Sequence, residues 1–350
     1  MKIKNNYFII LKYMKKIIEC SIIFIIIYII FYFIDKYLFY KKENFNNKKK
    51  NILFYTIHPY TDKIGGIIVQ YYIAALLDKL GENVRIHRKF GVVDNQIFNK
   101  FYDEDFDMEN TVVIYSEGEP GNPLNAKYCV RWILAPLGIN SDPEIYKTWN
   151  KNDLVYYFNT ENKIEENEDK IDDIYKFLGY IYINPNIRNY NKKRIDGYCH
   201  TFRKSHYHSE IVNIHPEDSF EISRDASQED YIEIFNKYKY FVSYDPLNFM
   251  SIIAALCGCV SIIYPIKDKT KDDWLKTTIL YSYLKHTNTD NLYGISYGLE
   301  DLKFAEDTID LVEEQFKDIN NYYEEYQVKP FIKDIQNFEE NNNTVENIFY

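Results

Sequence analysis

"SYDPLNFMSIIAALCGCVSIIYP", residues Ser243 to Pro265, decides how this chain is read. It begins as the end of a strand, runs through a proline-started stretch of small and apolar residues, breaks at Cys-Gly-Cys and resumes as a second apolar strand. Strand, helix and strand in succession are the unit of a parallel sheet covered by helices. Asp245 is placed to cap a helix begun by Pro246. The unpaired amides of such a helix start, at its positive dipole end, attract anions. The start also lies at the carboxyl end of a strand, where open α/β sheets bind ligands. Asn248 adds a donor for a phosphate, and Tyr244 or Phe249 offers a ring to a base. The plainer reading of the same residues is a capped crossover helix with an apolar face of Ile252, Ile253 and Leu256.

The same alternation extends outward in both directions. "NILFYTI" (Asn51–Ile57) reads as a strand, followed by a Gly-Gly loop and the helix "IIVQYYIAALLDKLG". There Ile68, Tyr71, Tyr72, Ala75, Leu76 and Leu80 share a face, and Gly81 stands where the helix stops. Strands are expected at "NVRIH" (Asn83–His87), "TVVIYSE" (Thr111–Glu117) and "DLVYYFN" (Asp153–Asn159). "NPLNAKYCVRWIL" (Asn122–Leu134) reads as a helix capped by Asn122 with Pro123 at its first position. After "YIYINP" the pattern restarts with "GYCHTFRK", "SFEI", "YKYFVSYD" and "VSIIYP", which places a domain boundary near residues 185–195.

Composition narrows the function. A length of 350 residues fits two domains or slightly more. The net charge of −10 argues against a protein that wraps nucleic acid. The 35 tyrosines and 23 phenylalanines accompany abundant Ile, Lys and Asn, as codon bias would produce, and do not by themselves make a base-stacking surface. Five scattered cysteines spell neither a disulfide framework nor a metal site; Cys257 and Cys259 read as small buried packers. "IIECSIIFIIIYIIFYFI" (Ile17–Ile34) carries a single charge, Glu19, and no small-x-small cleavage site, so an uncleaved single-pass anchor is expected. Five lysines precede the run and six follow it closely, so charge does not set its orientation.

Other chemistry-bearing residues gather at expected strand ends. In "HTFRKSHYH" (His200–His208), Arg203 and Lys204 suit a diphosphate leaving group, or form a solvent-facing basic turn. His200, His206 and His208 lack the carboxylate spacing that would complete a metal site, so no metal is expected. In "HPYTDKIGG", His58 sits at a strand's carboxyl end, and Gly65 and Gly66 permit close backbone approach. The glycines do not form the dinucleotide fingerprint, so a nicotinamide cofactor is not expected. Glu117, Glu119, Asn122 and Arg131 share one turn, where a carboxylate could take an acceptor hydroxyl's proton. "DEDFD" (Asp103–Asp107) has D-x-D spacing but precedes its strand, as an acidic turn would.

The run "AALCGCVSII" after a strand resembles the carboxyl-terminal Rossmann domain of GT-B glycosyltransferases, where an E-A-x-x-x-G-x-P-V-V segment flanks the nucleotide-sugar site. Ala254, Gly258 and the strand from Val260 match that segment. Ile253 stands where the family has its ribose-binding glutamate. Asp245 lies eight residues before it, where retaining members carry an acidic residue. "GNPLNAKYCVRWIL", "SYDPLNFMSIIAALCGCVSIIYP" and "YGISYGLEDLKFAEDT" together resemble one group assigned to this fold, over roughly residues 51 to 315.

The resemblance implies an α/β fold with two Rossmann-like parallel-sheet domains, GT-B-like, behind an N-terminal transmembrane helix. Residues 1–16 are then a basic flank, 17–34 the anchor, 35–50 a linker, 51–190 the acceptor domain, 191–330 the nucleotide-sugar domain and 331–350 a polar tail. It further implies a membrane-anchored, metal-independent glycosyltransferase, of hexosyltransferase class, acting on a glycan, protein or other hydroxyl acceptor. The nucleotide-sugar is substrate and no cofactor is implied. Arg203, Lys204, Tyr244, Asp245 and Asn248 would hold the donor, His58 and Glu117 would be catalytic, and Gly65, Gly66 and Asn122 would line the cleft. The alternatives are a non-catalytic scaffold on the same fold and a sugar-nucleotide-modifying Rossmann enzyme.

Overall fold

The computed structural model describes residues 29–32, 36, 49–56, 58–61, 64–87, 98–102, 107–159, 174–202, 211–246 and 249–350. The chain divides into Met1–Lys49 and Lys50–Tyr350. In the first unit Ile29, Ile30, Phe31 and Tyr32 are helical and exposed, and the Lys36 ammonium lies 6.0 Å from the Tyr32 ring centre. Among the described residues no helix is long and apolar enough to cross a membrane. Apart from those four residues, the anchor expected at Ile17–Ile34 falls outside the described residues.

The second unit holds two sheets whose strands all run parallel. Strands β1 (Asn51–Tyr55), β2 (Val84–Ile86), β3 (Thr111–Ser116), β4 (Tyr128–Ile133), β5 (Leu154–Tyr157) and β6 (Lys176–Phe177) form the first, in the order β2-β1-β3-β4-β5-β6. Strands β7 (Ile195–Thr201), β8 (Phe220–Glu221), β9 (Tyr238–Ser243), β10 (Val260–Ile263) and β11 (Ile295–Tyr297) form the second, in the order β11-β10-β9-β7-β8. Each sheet is thus a Rossmann-like parallel sheet that reverses direction beside its own first strand. The change from one sheet to the other falls within residues 178–194.

Burial on both faces explains the unbroken apolar runs. Ile52 and Phe54 of β1 pack with Ile67, Ile73 and Leu77 of helix α1 (Gly65–Lys79), while Leu53 and Tyr55 pack on the opposite face with Val113, Tyr115 and Cys129. Helix α1 is buried nearly all round, so Ile67, Ile73, Ala74 and Leu77 are its deepest residues, and Ile68 and Ala75 are only half-buried. The expected single apolar face was too narrow. Gly65 and Gly66 form no loop but are the first two residues of α1, and Gly81 ends it with φ of +88°.

The Asn122–Leu134 stretch contains no helix. Asn122 Oδ1 accepts the Ala126 N–H (3.0 Å) and the Tyr115 hydroxyl (2.9 Å), closing a turn, and the chain then enters β4. The capping chemistry of Asn122 is real, but what it caps is a turn.

The carboxyl-terminal segment is likewise no free tail. Helices α2 (Gln228–Lys237), α3 (Met250–Leu256), α4 (Lys271–Lys276), α5 (Tyr281–Thr287) and α6 (Leu302–Thr308) accompany the second sheet. Helix α7 (Val312–Tyr323) buries Val312, Phe316 and Ile319 in that sheet's core. A π-helical turn, Glu324–Val328, follows, and α8 (Lys329–Gln336) buries Phe331 and Ile335 in the core of the first sheet. At the π turn Gln327 Oε1 accepts the Gly179 N–H at 2.7 Å, joining the two crossings between sheets. The chain ends in α9 (Val345–Phe349), with Asn343 exchanging hydrogen bonds with both backbone groups of Val155 at 2.8 Å. Val345 and Ile348 are buried, which corrects the reading of 331–350 as a polar tail.

Candidate functional site

In open parallel sheets, ligands bind at the carboxyl ends of strands where the order reverses. Here that means the ends of β1 and β3 in one sheet and of β7 and β9 in the other.

At the β1/β3 end, His58 is exposed, and its carbonyl accepts the Thr56 hydroxyl at 3.0 Å. Gly65 and Gly66 open a fifteen-residue helix whose N-cap, Ile64, supplies no side-chain acceptor. A side chain at Gly65 would meet nothing within 4 Å, so the glycine leaves open space in front of the first amides. Glu117 follows β3 and is 5% exposed; its Oε2 accepts the Leu134 N–H at 3.0 Å. Burial raises its carboxyl above the usual range, opposed by the Leu134 bond. Glu117 therefore ties the β3 and β4 exits together, while His58 faces solvent.

The loop between β3 and β4 is held from below by a charge. Arg131 is fully buried, with its guanidinium 4.7 Å from the Tyr115 ring centre and 5.2 Å from that of Trp149. Its Nε donates to Asp153 Oδ2 at 2.8 Å, Nη1 donates to the Glu119 carbonyl at 3.3 Å, and Nη2 donates to the Gly121 carbonyl. Burial raises the Asp153 carboxyl even with Arg131 beside it. Parallel strands are usually joined by a helix; here a pinned loop does that work.

At the β7/β9 end, the expected helix start is corrected. Strand β9 stops at Ser243, whose hydroxyl donates to the Asp245 carbonyl at 2.8 Å, and Trp274 Nε1 donates to the Pro246 carbonyl at 2.7 Å. Helix α3 begins only at Met250, after Phe249, with no side-chain cap. Asp245 is thus part of a bonded turn and not the helix cap. The seven residues of α3 are all buried, including Ile253 at 5% exposure. Asn248, Arg203 and Lys204 lie outside the described residues.

Tyr244 does reach the strand ends, in company the sequence did not announce. Its ring stacks on Phe202 at 4.6 Å, and its hydroxyl accepts the Ile214 N–H at 2.9 Å and lies 2.8 Å from His215 Nδ1. His215 stacks on His200, the ring centres 3.7 Å apart and the planes within 10°. His200 is 5% exposed, with Nδ1 2.9 Å from Ser219 Oγ. Burial and the neighbouring His215 push the His200 pKa down to about 4, with Glu221 opposing, and burial lowers His215 as well. His215 stands in "NIHPED", where no spacing links it to His200; only the parallel fold brings the two together.

A depressed folded pKa has a defined consequence. Against an unfolded value near 6.5, neutral His200 contributes stability above that pH, and the contribution is lost as pH falls toward 4. Between pH 7 and 4, denaturant titrations of wild type should lose on the order of 1–3 kcal/mol more than those of His200→Phe. Equal losses would show that His200 is not buried in its neutral form.

Among the described residues no group of three or more His, Cys, Asp or Glu could hold a metal ion. No family model matches the chain, and no curated protein matches it.

Proposed function

We propose that the chain is a membrane-anchored glycosyltransferase of the GT-B type, transferring a hexosyl group from a nucleotide-sugar to a hydroxyl acceptor. What supports the reading is the arrangement of two parallel sheets, each reversing beside its first strand, the place where such sheets bind ligands. The acceptor oxygen attacks the anomeric carbon, its proton passes to His58, and the bond to the leaving diphosphate breaks with its electron pair. Arg203 and Lys204 offset the charge that develops on the leaving group. Glu117, engaged by Leu134, holds the strand exits and is the weaker candidate base. Asn122 acts on the cleft by locking the turn that carries it. Ile17–Ile34 would hold the protein at a membrane.

The test is thermal unfolding of the full chain with UDP-, GDP- and dTDP-sugars. A ligand at one hundred times its Kd stabilises by about 2.7 kcal/mol, so one nucleotide class should raise the Tm by several degrees. No shift with any of the three overturns the reading. With the active donor, Arg203→Ala should slow nucleotide-sugar hydrolysis at least tenfold, on the order of 1.4 kcal/mol of transition-state stabilisation. Unchanged hydrolysis removes Arg203 from the site.

One observation favours a non-catalytic scaffold as the second reading. Ile253, at the family's glutamate position, is buried in the second core and offers a ribose nothing. Binding without turnover of any donor would select the scaffold.

A further inference from the structure

We propose that His200 and His215 together bind the phosphoryl oxygens of a diphosphate-bearing ligand through their Nε2 atoms. The phosphoryl assignment deepens the glycosyl-transfer reading and rests on it for the ligand being a nucleotide.

The argument begins with what is already satisfied. The Tyr244 hydroxyl accepts the Ile214 N–H at 2.9 Å, and the His215 backbone N–H also acts on it. With its lone pairs engaged, the phenol's own proton points to His215 Nδ1, 2.8 Å away. That assignment puts the remaining proton of neutral His215 on Nε2. A tautomer anchored in this way turns an N–H outward, which suits an oxygen acceptor and not a metal cation. His200 Nδ1 lies 2.9 Å from Ser219 Oγ, a hydroxyl that donates to it when the proton of the ring is on Nε2. No described residue hydrogen-bonds either Nε2, although the His200 ring is 95% buried.

Position supplies the second argument. His200 lies in β7 beside β9, at the reversal of strand order in the second sheet, and its ring faces Phe202 as well as His215. The groups acting on the pair are Ser219, Glu221 beyond it on β8, Tyr244 just after β9 and Phe202. Both rings are neutral near pH 7, since burial lowers each and Glu221 only partly restores it. An incoming anion favours imidazolium and makes the hydrogen bond charge-assisted. Binding is therefore coupled to proton uptake and strengthens as pH falls below 7.

The probe is inorganic pyrophosphate, titrated calorimetrically into the detergent-solubilised full chain at pH 7.5 and 6.0. His215→Phe keeps a stacked ring but removes both nitrogens; it should weaken binding at least tenfold. It should also reduce the pH dependence of affinity, at least threefold in wild type beyond whatever the variant shows. Tyr244→Phe keeps the stack on Phe202 and frees His215 Nδ1; weaker binding is expected there too, which covers the case in which His215→Phe does not fold. Undiminished affinity in the folded variants, an unchanged pH slope, or no binding by wild type at millimolar pyrophosphate each overturns the proposal. Loss of pyrophosphate binding in His215→Phe, with no nucleotide-sugar stabilising wild type, would uphold this site and remove the transferase reading. Nucleotide-sugar stabilisation that survives both substitutions would do the reverse.

Discussion

Gly258→Ala should destabilise the protein by about 4 kcal/mol, enough to deplete the folded state in a urea titration. Gly258 has φ of +78°, where an added Cβ is strained on its own account. That Cβ would also lie 2.6 Å from Asn189 Nδ2 and 2.7 Å from an Arg194 nitrogen. Both are ends of flexible side chains, but neither end is free to move. Arg194 donates to the Phe235 and Tyr238 carbonyls, to Cys257 O and to Asn189 Oδ1 at 3.0 Å. One guanidinium therefore caps the carboxyl ends of α2 and α3 and ties them to the connector between sheets. In an Arg194→Ala background the glycine substitution should cost only about 1–2 kcal/mol, because strain remains and the clash has largely gone. Additivity of the two substitutions would show that the clash contributes nothing.

Asp153→Ala should cost about 3–5 kcal/mol, because it strands a guanidinium inside the first sheet. Arg131 has no exposure and no other carboxylate bonded to it among the described residues. Replacing both partners, as Arg131→Met with Asp153→Leu, removes the orphaned charge but leaves the Glu119 and Gly121 carbonyls short of a donor. The double variant should therefore recover less than half of the loss. Full recovery would mean that Arg131 does nothing for the β3–β4 loop; urea midpoints for the three proteins settle the matter.

The strands were legible wherever burial on both faces made them uniformly apolar, as in β1, β3 and β10. Strand β4 was not, for a local reason. Asn-Pro at its entrance carries helix-cap chemistry, and Arg131 in its middle breaks an apolar run. The residue that makes a buried arginine tolerable, Asp153, is supplied by the start of the next strand. At Ser243–Pro265 the two strands and the glycine break were readable, but the helix start was not, because Asp-Pro serves a turn as readily as a cap. Among candidate site residues, the place of Tyr244 just past a strand end was legible. His215 was missed because its partner lies fifteen positions earlier and stacking across a fold leaves no periodic trace.

The stitching of Asn343, Val345 and Ile348 onto β5 bears on how the protein can be made. A ribosome delivers β1 through β6 long before α8 and α9, so the interior around β5 waits for residues 343–348 before it is complete. Emergence of those residues, and not emergence of the first sheet, is the moment at which that half can finish assembling. A nonsense codon ahead of Asn343 would accordingly leave unfinished the portion that was synthesised first.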